Sequence, residues 1–105
     1  MTYAEVKEEL AKMVNTYLYH ARSRRDSAKN KYVDDPNSYS ADLDVNLAED
    51  YETAAELLQD VSRTITNDFD NDSTFTIEKR GGWTTEKINI YGDGYLIESV
   101  KAPLC

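Results

Sequence analysis

Between Leu43 and Phe69 the apolar residues fall at Leu43, Leu47, Tyr51, Ala54, Leu58, Val61, Ile65 and Phe69, always three or four positions apart. That spacing puts them on one stripe of a 3.6-residue repeat, and Ala48, Ala55 and Leu57 widen the stripe. An amphipathic helix over about 38–67 is predicted, facing a core. No glycine or proline interrupts it, and Thr66 to Asp68 prefer caps and turns to helix interiors.

A second helix is predicted upstream, over about 3–32. Thr2 and Glu5 have the spacing of a capping box. Tyr3, Val6, Leu10, Met13, Tyr17 and Ala21 form its apolar stripe, with Val14 and Leu18 beside it. Past Ala21 the continuing positions are Arg24, Arg25, Ser27 and Ala28, so the first half forms core and the second half is basic. Asp34 to Ser38 reads as a turn, because Pro36 disfavours helix at Asp35. Pro36 also suits the first position of the next helix, with Asp35 as its cap, and that helix starts between Pro36 and Ala41. A short turn between long helices gives an antiparallel hairpin.

From Ser73 the period changes to two. Residues 74–79, 84–91 and 95–100 alternate apolar and polar positions and are separated by Gly81-Gly82 and Gly92-Asp93-Gly94. They predict a three-stranded antiparallel meander. Three strands alone are marginal, so one face rests on the helices, with Phe75, Ile77, Ile88 and Ile90 inward. In the last run Leu96/Val100 and Tyr95/Ile97 compete for the inside. The fold class is therefore α+β: a two-helix hairpin followed by a meander packed on it. Thirty helical residues span about 45 Å, more than a compact chain of this size accommodates, so the molecule is elongated or folds its helices into an oligomer, and a homodimer is the expectation.

The length of 105 residues suits one domain, 1–105. No apolar run nears the ~20 residues of a membrane span. Glu5, Glu8 and Glu9 occupy positions where a signal segment is apolar. Cys105 is the only cysteine, which excludes an internal disulfide and a Cys-based zinc site. A cytoplasmic setting is expected, that of a bacterial host if the chain is phage-encoded.

Charge changes the picture more. Residues 1–32 hold seven bases against four acids, a net of +3, and residues 33–73 hold twelve acids against Arg63 alone, a net of −11. Residues 74–105 balance four against four, so the total of −8 belongs to the central helix and its turns. In a hairpin the basic end of the first helix lies beside the acidic start of the second, which pairs these charges internally.

No constellation supports catalysis, and no cofactor or metal is implied. Asp68, Asp70 and Asp72 open like a calcium loop, but Ser73 stands where Gly is needed and Lys79 where the bidentate Glu belongs. His20 is the only histidine and has no carboxylate near it in sequence before Asp26. Two surfaces are candidates for binding a protein: the acidic set Asp44, Glu49, Asp50, Glu52, Glu56 and Asp60, and the turn aromatics Trp83, Tyr91 and Tyr95, which bury large area at little rotamer cost. Tyr19, Arg22, Arg24 and Arg25 form an alternative site for a phosphate-bearing ligand such as a nucleotide. Direct nucleic-acid binding is not expected at a pI near 4.5. The expected function is that of a small acidic non-enzymatic interaction protein. It acts on a basic, nucleic-acid-binding protein and is similar in type to phage or mobile-element inhibitors of host defence, such as anti-CRISPR proteins. Alternatives are an oligomeric nucleotide sponge and a structural assembly protein.

Overall fold

The computed structural model describes residues 1–104; Cys105, and the reading attached to it, lie outside the described residues. Helix α1 (Tyr3–Asp34) and helix α2 (Tyr39–Asp68) form an antiparallel hairpin. Strands β1 (Phe75–Gly81), β2 (Thr85–Gly92) and β3 (Tyr95–Pro103) follow as an antiparallel sheet in the order β1-β2-β3. The α+β class stands as expected, and the sheet packs chiefly on α2.

Local chemistry explains the helix ends. The Glu5 N–H donates to Thr2 Oγ1 at 3.1 Å and the Thr2 N–H donates to Glu5 Oε1 at 3.0 Å, a complete capping box. These bonds favour the ionised carboxylate and lower the Glu5 pKa. Asp35 does not open α2. It closes α1 instead: its N–H donates to the Lys31 carbonyl at 2.9 Å, and its carboxylate accepts the Asn37 N–H at 3.0 Å. Ser38 is the α2 cap, accepting the Ala41 N–H at 3.1 Å. A carboxylate that folds onto its own turn cannot also serve the helix three residues on.

Helices of 32 and 30 residues run about 45–48 Å at 1.5 Å per residue. Strands of seven to nine residues cover only about 23–30 Å. The sheet therefore shields one half of the hairpin, and the other half projects beyond it. The molecule measures 55 × 23 × 15 Å, with a radius of gyration of 16.1 Å. A compact chain of this length would be near 13 Å.

In the sheet-covered half, Val6, Leu10, Met13 and Tyr17 meet Leu58, Val61 and Ile65 between the helices, and Phe75, Ile88, Ile90, Val100 and Ala102 close the core from the sheet. Phe75, Ile88 and Ile90 are fully inside and Ile77 packs at the margin, the orientation expected from alternation. Tyr17 stacks on Tyr51 at 6.0 Å and donates its hydroxyl to Glu86 Oε1 at 2.6 Å, tying helix to sheet.

The β3 register resolves a competition that alternation leaves open. Ile90 pairs with Glu98 but Tyr91 pairs with Leu96, so Ile97 is an extra residue, a bulge. The bulge shifts parity by one. Val100 and Ala102 face inward on one side of it, and Ile97 packs against the core on the other. Leu96 and Tyr95 are left exposed. Both candidate faces are thus used, each on its own side of the bulge.

Candidate interaction surfaces

The first two turns of α2 depart from the expected stripe. Buried positions there are Ala41, Asp44, Ala48 and Tyr51, whereas Leu43 is 44% exposed and Leu47 is half-buried. Leu43 and Leu47 point to the side the sheet covers farther along the helix, but no strand reaches them. Asp44 takes the seam position instead, seven residues before Tyr51, which is seven before Leu58. On α1 the same seven-residue step leads from Leu10 and Tyr17 to Arg24 and Lys31. The seam is apolar under the sheet and polar in the projecting half.

Asp44 is consequently not part of an outward acidic face. It is 3% exposed and its carboxylate accepts from Lys31 Nζ at 2.7 Å, Ser27 Oγ at 2.9 Å and an Arg24 guanidinium nitrogen at 3.3 Å. The hydrogen bond from Lys31 is the main cause holding its pKa below the usual carboxylate range; Ser27 and Arg24 reinforce it and burial opposes it. Glu52 is engaged too, by both Arg25 Nε at 3.3 Å and the Arg25 NH2 group. Tyr32 donates its hydroxyl to Asp42. These contacts are the internal charge pairing expected of the hairpin. Ser27 and Lys31 were missed as members of this cluster, although the seven-residue spacing in α1 points to Lys31.

The remaining acids divide. Glu49, Glu56 and Asp60 are exposed on the outer side of α2, and Asp60 pairs only with Arg63 in the next turn, at 3.0 Å. Asp50 lies elsewhere, lining a hollow of about 240 Å³ with Thr53, Thr85 and Lys101 at the sheet edge. Of the alternative phosphate site, Arg22 and Arg25 line one hollow of about 350 Å³ together with Asp26 and Glu52. Arg24 and Arg25 are held by Asp44 and Glu52, while Arg22 and Tyr19 are exposed. His20 sits between Tyr19 and Tyr51, with ring centroids 5.7 and 5.3 Å away.

The three turn aromatics do not form one patch. Trp83 is fully exposed in the β1–β2 turn and does not pack on the helices. Tyr95 pairs with Gly92 and Tyr91 with Leu96 at the opposite end of β2. Eight residues of strand, about 26 Å, separate Trp83 from Tyr91. Asp70 accepts the Asp72 N–H at 2.9 Å in a local turn, and no group of three or more candidate metal ligands occurs among the described residues.

No protein family, curated protein or solved structure matches this chain. Among the described residues no helix is long and apolar enough to cross a membrane.

Proposed function

We propose that this chain is a non-enzymatic interaction protein that inhibits a basic, nucleic-acid-binding partner, with the outer line of α2 standing in for phosphates. One observation carries the reading. Glu49, Glu56 and Asp60 stay exposed along the helix while the nearby cations of α1, Arg24, Arg25 and Lys31, are consumed by Asp44 and Glu52. Among the described residues no cation of α1 forms an ion pair with these acids. Glu49 lies in the field of Arg25, but Glu52 already holds that guanidinium. The field of the line therefore extends into solvent and attracts a basic surface at long range. Inhibition of a host-defence protein by a phage or mobile element is a setting in which such a surface has a use.

The test is capture of a partner from nuclease-treated bacterial lysate by the tagged protein at low and high salt. Capture of one nucleic-acid-binding protein, released at high salt and displaced by nucleic acid, is the expected result. The triple variant Glu49→Lys, Glu56→Lys, Asp60→Lys keeps its fold, since exposed substitutions change stability by about 0.5 kcal/mol or less, and loses the partner. Capture undiminished by the triple variant rules the reading out.

A further inference from the structure

The outward face of the sheet sorts its charges into rows. Ile88 and Ile90 point inward, so Lys87, Asn89 and Tyr91 point outward from the central strand. Glu78, Asn89 and Ser99 are register partners across the three strands and form a hydrogen-bonded ladder: Asn89 Nδ2 donates to Glu78 at 3.3 Å and Ser99 Oγ donates to Asn89 at 2.7 Å. The next row is Arg80, Lys87 and Lys101, three cations directly opposite one another. Like charges so placed destabilise a sheet. Arg80 has a partner in Glu78 at 2.9 Å. Among the described residues no ion pair involves Lys87 or Lys101, both of which are exposed. The turn that carries fully exposed Trp83, residues 82–84, begins two residues past Arg80 and ends three before Lys87.

We infer that this row, with Trp83, binds single-stranded nucleic acid. Strands lie about 4.8 Å apart, so the three cations span about 10 Å, a short track for a phosphodiester backbone. An exposed indole beside a cationic track is a stacking platform for an unpaired base. A chain of net charge −8 is repelled more strongly by the denser charge of a duplex than by a single strand. Total charge argues against any polyanion at long range, but it does not decide contact on a face whose strands carry the single acid Glu78. Of the α2 acids, Asp50 approaches the Lys101 end of the row at the sheet edge. A sheet that tolerates three adjacent cations gives up stability for that contact. This site is separate from the acidic line of α2 and stands whether or not that line binds a protein.

The experiment is fluorescence anisotropy of a labelled 20-nucleotide oligothymidylate titrated with the full chain at several salt concentrations. Binding is expected, with log K falling against log salt at a slope near −2, the value for three phosphates on a single strand at about −0.7 each. Lys87→Gln with Lys101→Gln should weaken binding at least tenfold while leaving the melting temperature unchanged or higher, because the repulsive row is relieved. Trp83→Ala should weaken binding with little change in the salt slope. Absence of binding at 20 mM salt overturns the inference, as does binding unaffected by the double variant. Equal binding of polyglutamate, or tighter binding of the matched duplex, overturns the assignment to single strands.

Discussion

Replacing Asp44 tests whether the polar layer holds the projecting half of the hairpin together. Asp44→Ala deletes an acceptor of three hydrogen bonds, at 2.7, 2.9 and 3.3 Å, and empties a position that is 3% exposed. Breaking a fully buried ion pair costs about 3–5 kcal/mol. Here the Arg24 and Lys31 side chains are 48% and 39% exposed, so once released they recover hydration. The expected loss is therefore smaller, about 2 kcal/mol at neutral pH. In a urea melt it appears as a lower midpoint at unchanged slope. In a thermal melt it is a fall of about 10 °C.

The acid limb gives the second check. The folded-state pKa of Asp44 is lowered, so the unfolded chain takes up the proton first as pH falls. The stability from Asp44 is whole above the unfolded value of about 3.9. It is lost as pH drops through the lower folded value. The gap between wild type and Asp44→Ala should hold from neutral down to about pH 4 and close below it. Asp44→Leu extends the seam of Tyr51, Leu58 and Ile65. Combined with Arg24→Leu and Lys31→Leu it should match or exceed wild-type stability, as apolar replacements of buried ion clusters do. A cost under about 0.5 kcal/mol for Asp44→Ala, or a gap indifferent to acid, would refute the role given to this layer.

Two further substitutions probe the elements around it. At Gly92 an added Cβ would lie 2.7 Å from Phe69 Cε1 and 2.9 Å from Ile97 Cδ1, so Gly92→Ala should cost about 1–3 kcal/mol in a urea melt; Phe69→Leu in the same chain should recover part of that loss if the ring is the obstacle. Ser38→Ala removes the α2 cap and should cost about 1 kcal/mol, with Ser38→Asp close to wild type by the same melt.

Periodicity made the elements legible because each helix and each strand buries part of one face against the core. It failed where a face has nothing to cover it. Leu43 and Leu47 lie on the stripe through Ala54, Val61 and Ile65, and a stripe is all that a periodicity count reports. Whether a stripe is buried depends on how far the neighbouring layer extends, and these strands end short of the hairpin tip. Asp44 was misplaced for the related reason that a lone carboxylate reads as surface until its partners are known. Its partners lie on another helix, 13 to 20 residues away in sequence. Its seven-residue distance from Tyr51 was visible, and it gains meaning only beside Arg24 and Lys31 at the same step in α1.

The sheet shows why a charge sum hides a charged face. Residues 74–105 carry equal numbers of acids and bases, which as a composition implies nothing. A strand alternates faces, and an antiparallel register then aligns each face across its neighbours. Lys79, Glu86 and Glu98 fall opposite Ile88, Ala102 and Ile90, on the side of the sheet that turns toward the helices. Arg80, Lys87 and Lys101 fall opposite one another on the other side. Two-residue parity thus converts a neutral stretch into a face where the cations exceed the single acid Glu78. The β1–β2 half of this row was derivable, because Arg80 and Lys87 stand three and four residues on either side of Trp83 in the turn. The Lys101 end was not, since β3 register depends on the bulge at Ile97, which alternation cannot locate. A cationic face on one side and the acidic line of α2 on another make an acidic total compatible with contacts of either sign, each set by the layer that exposes it.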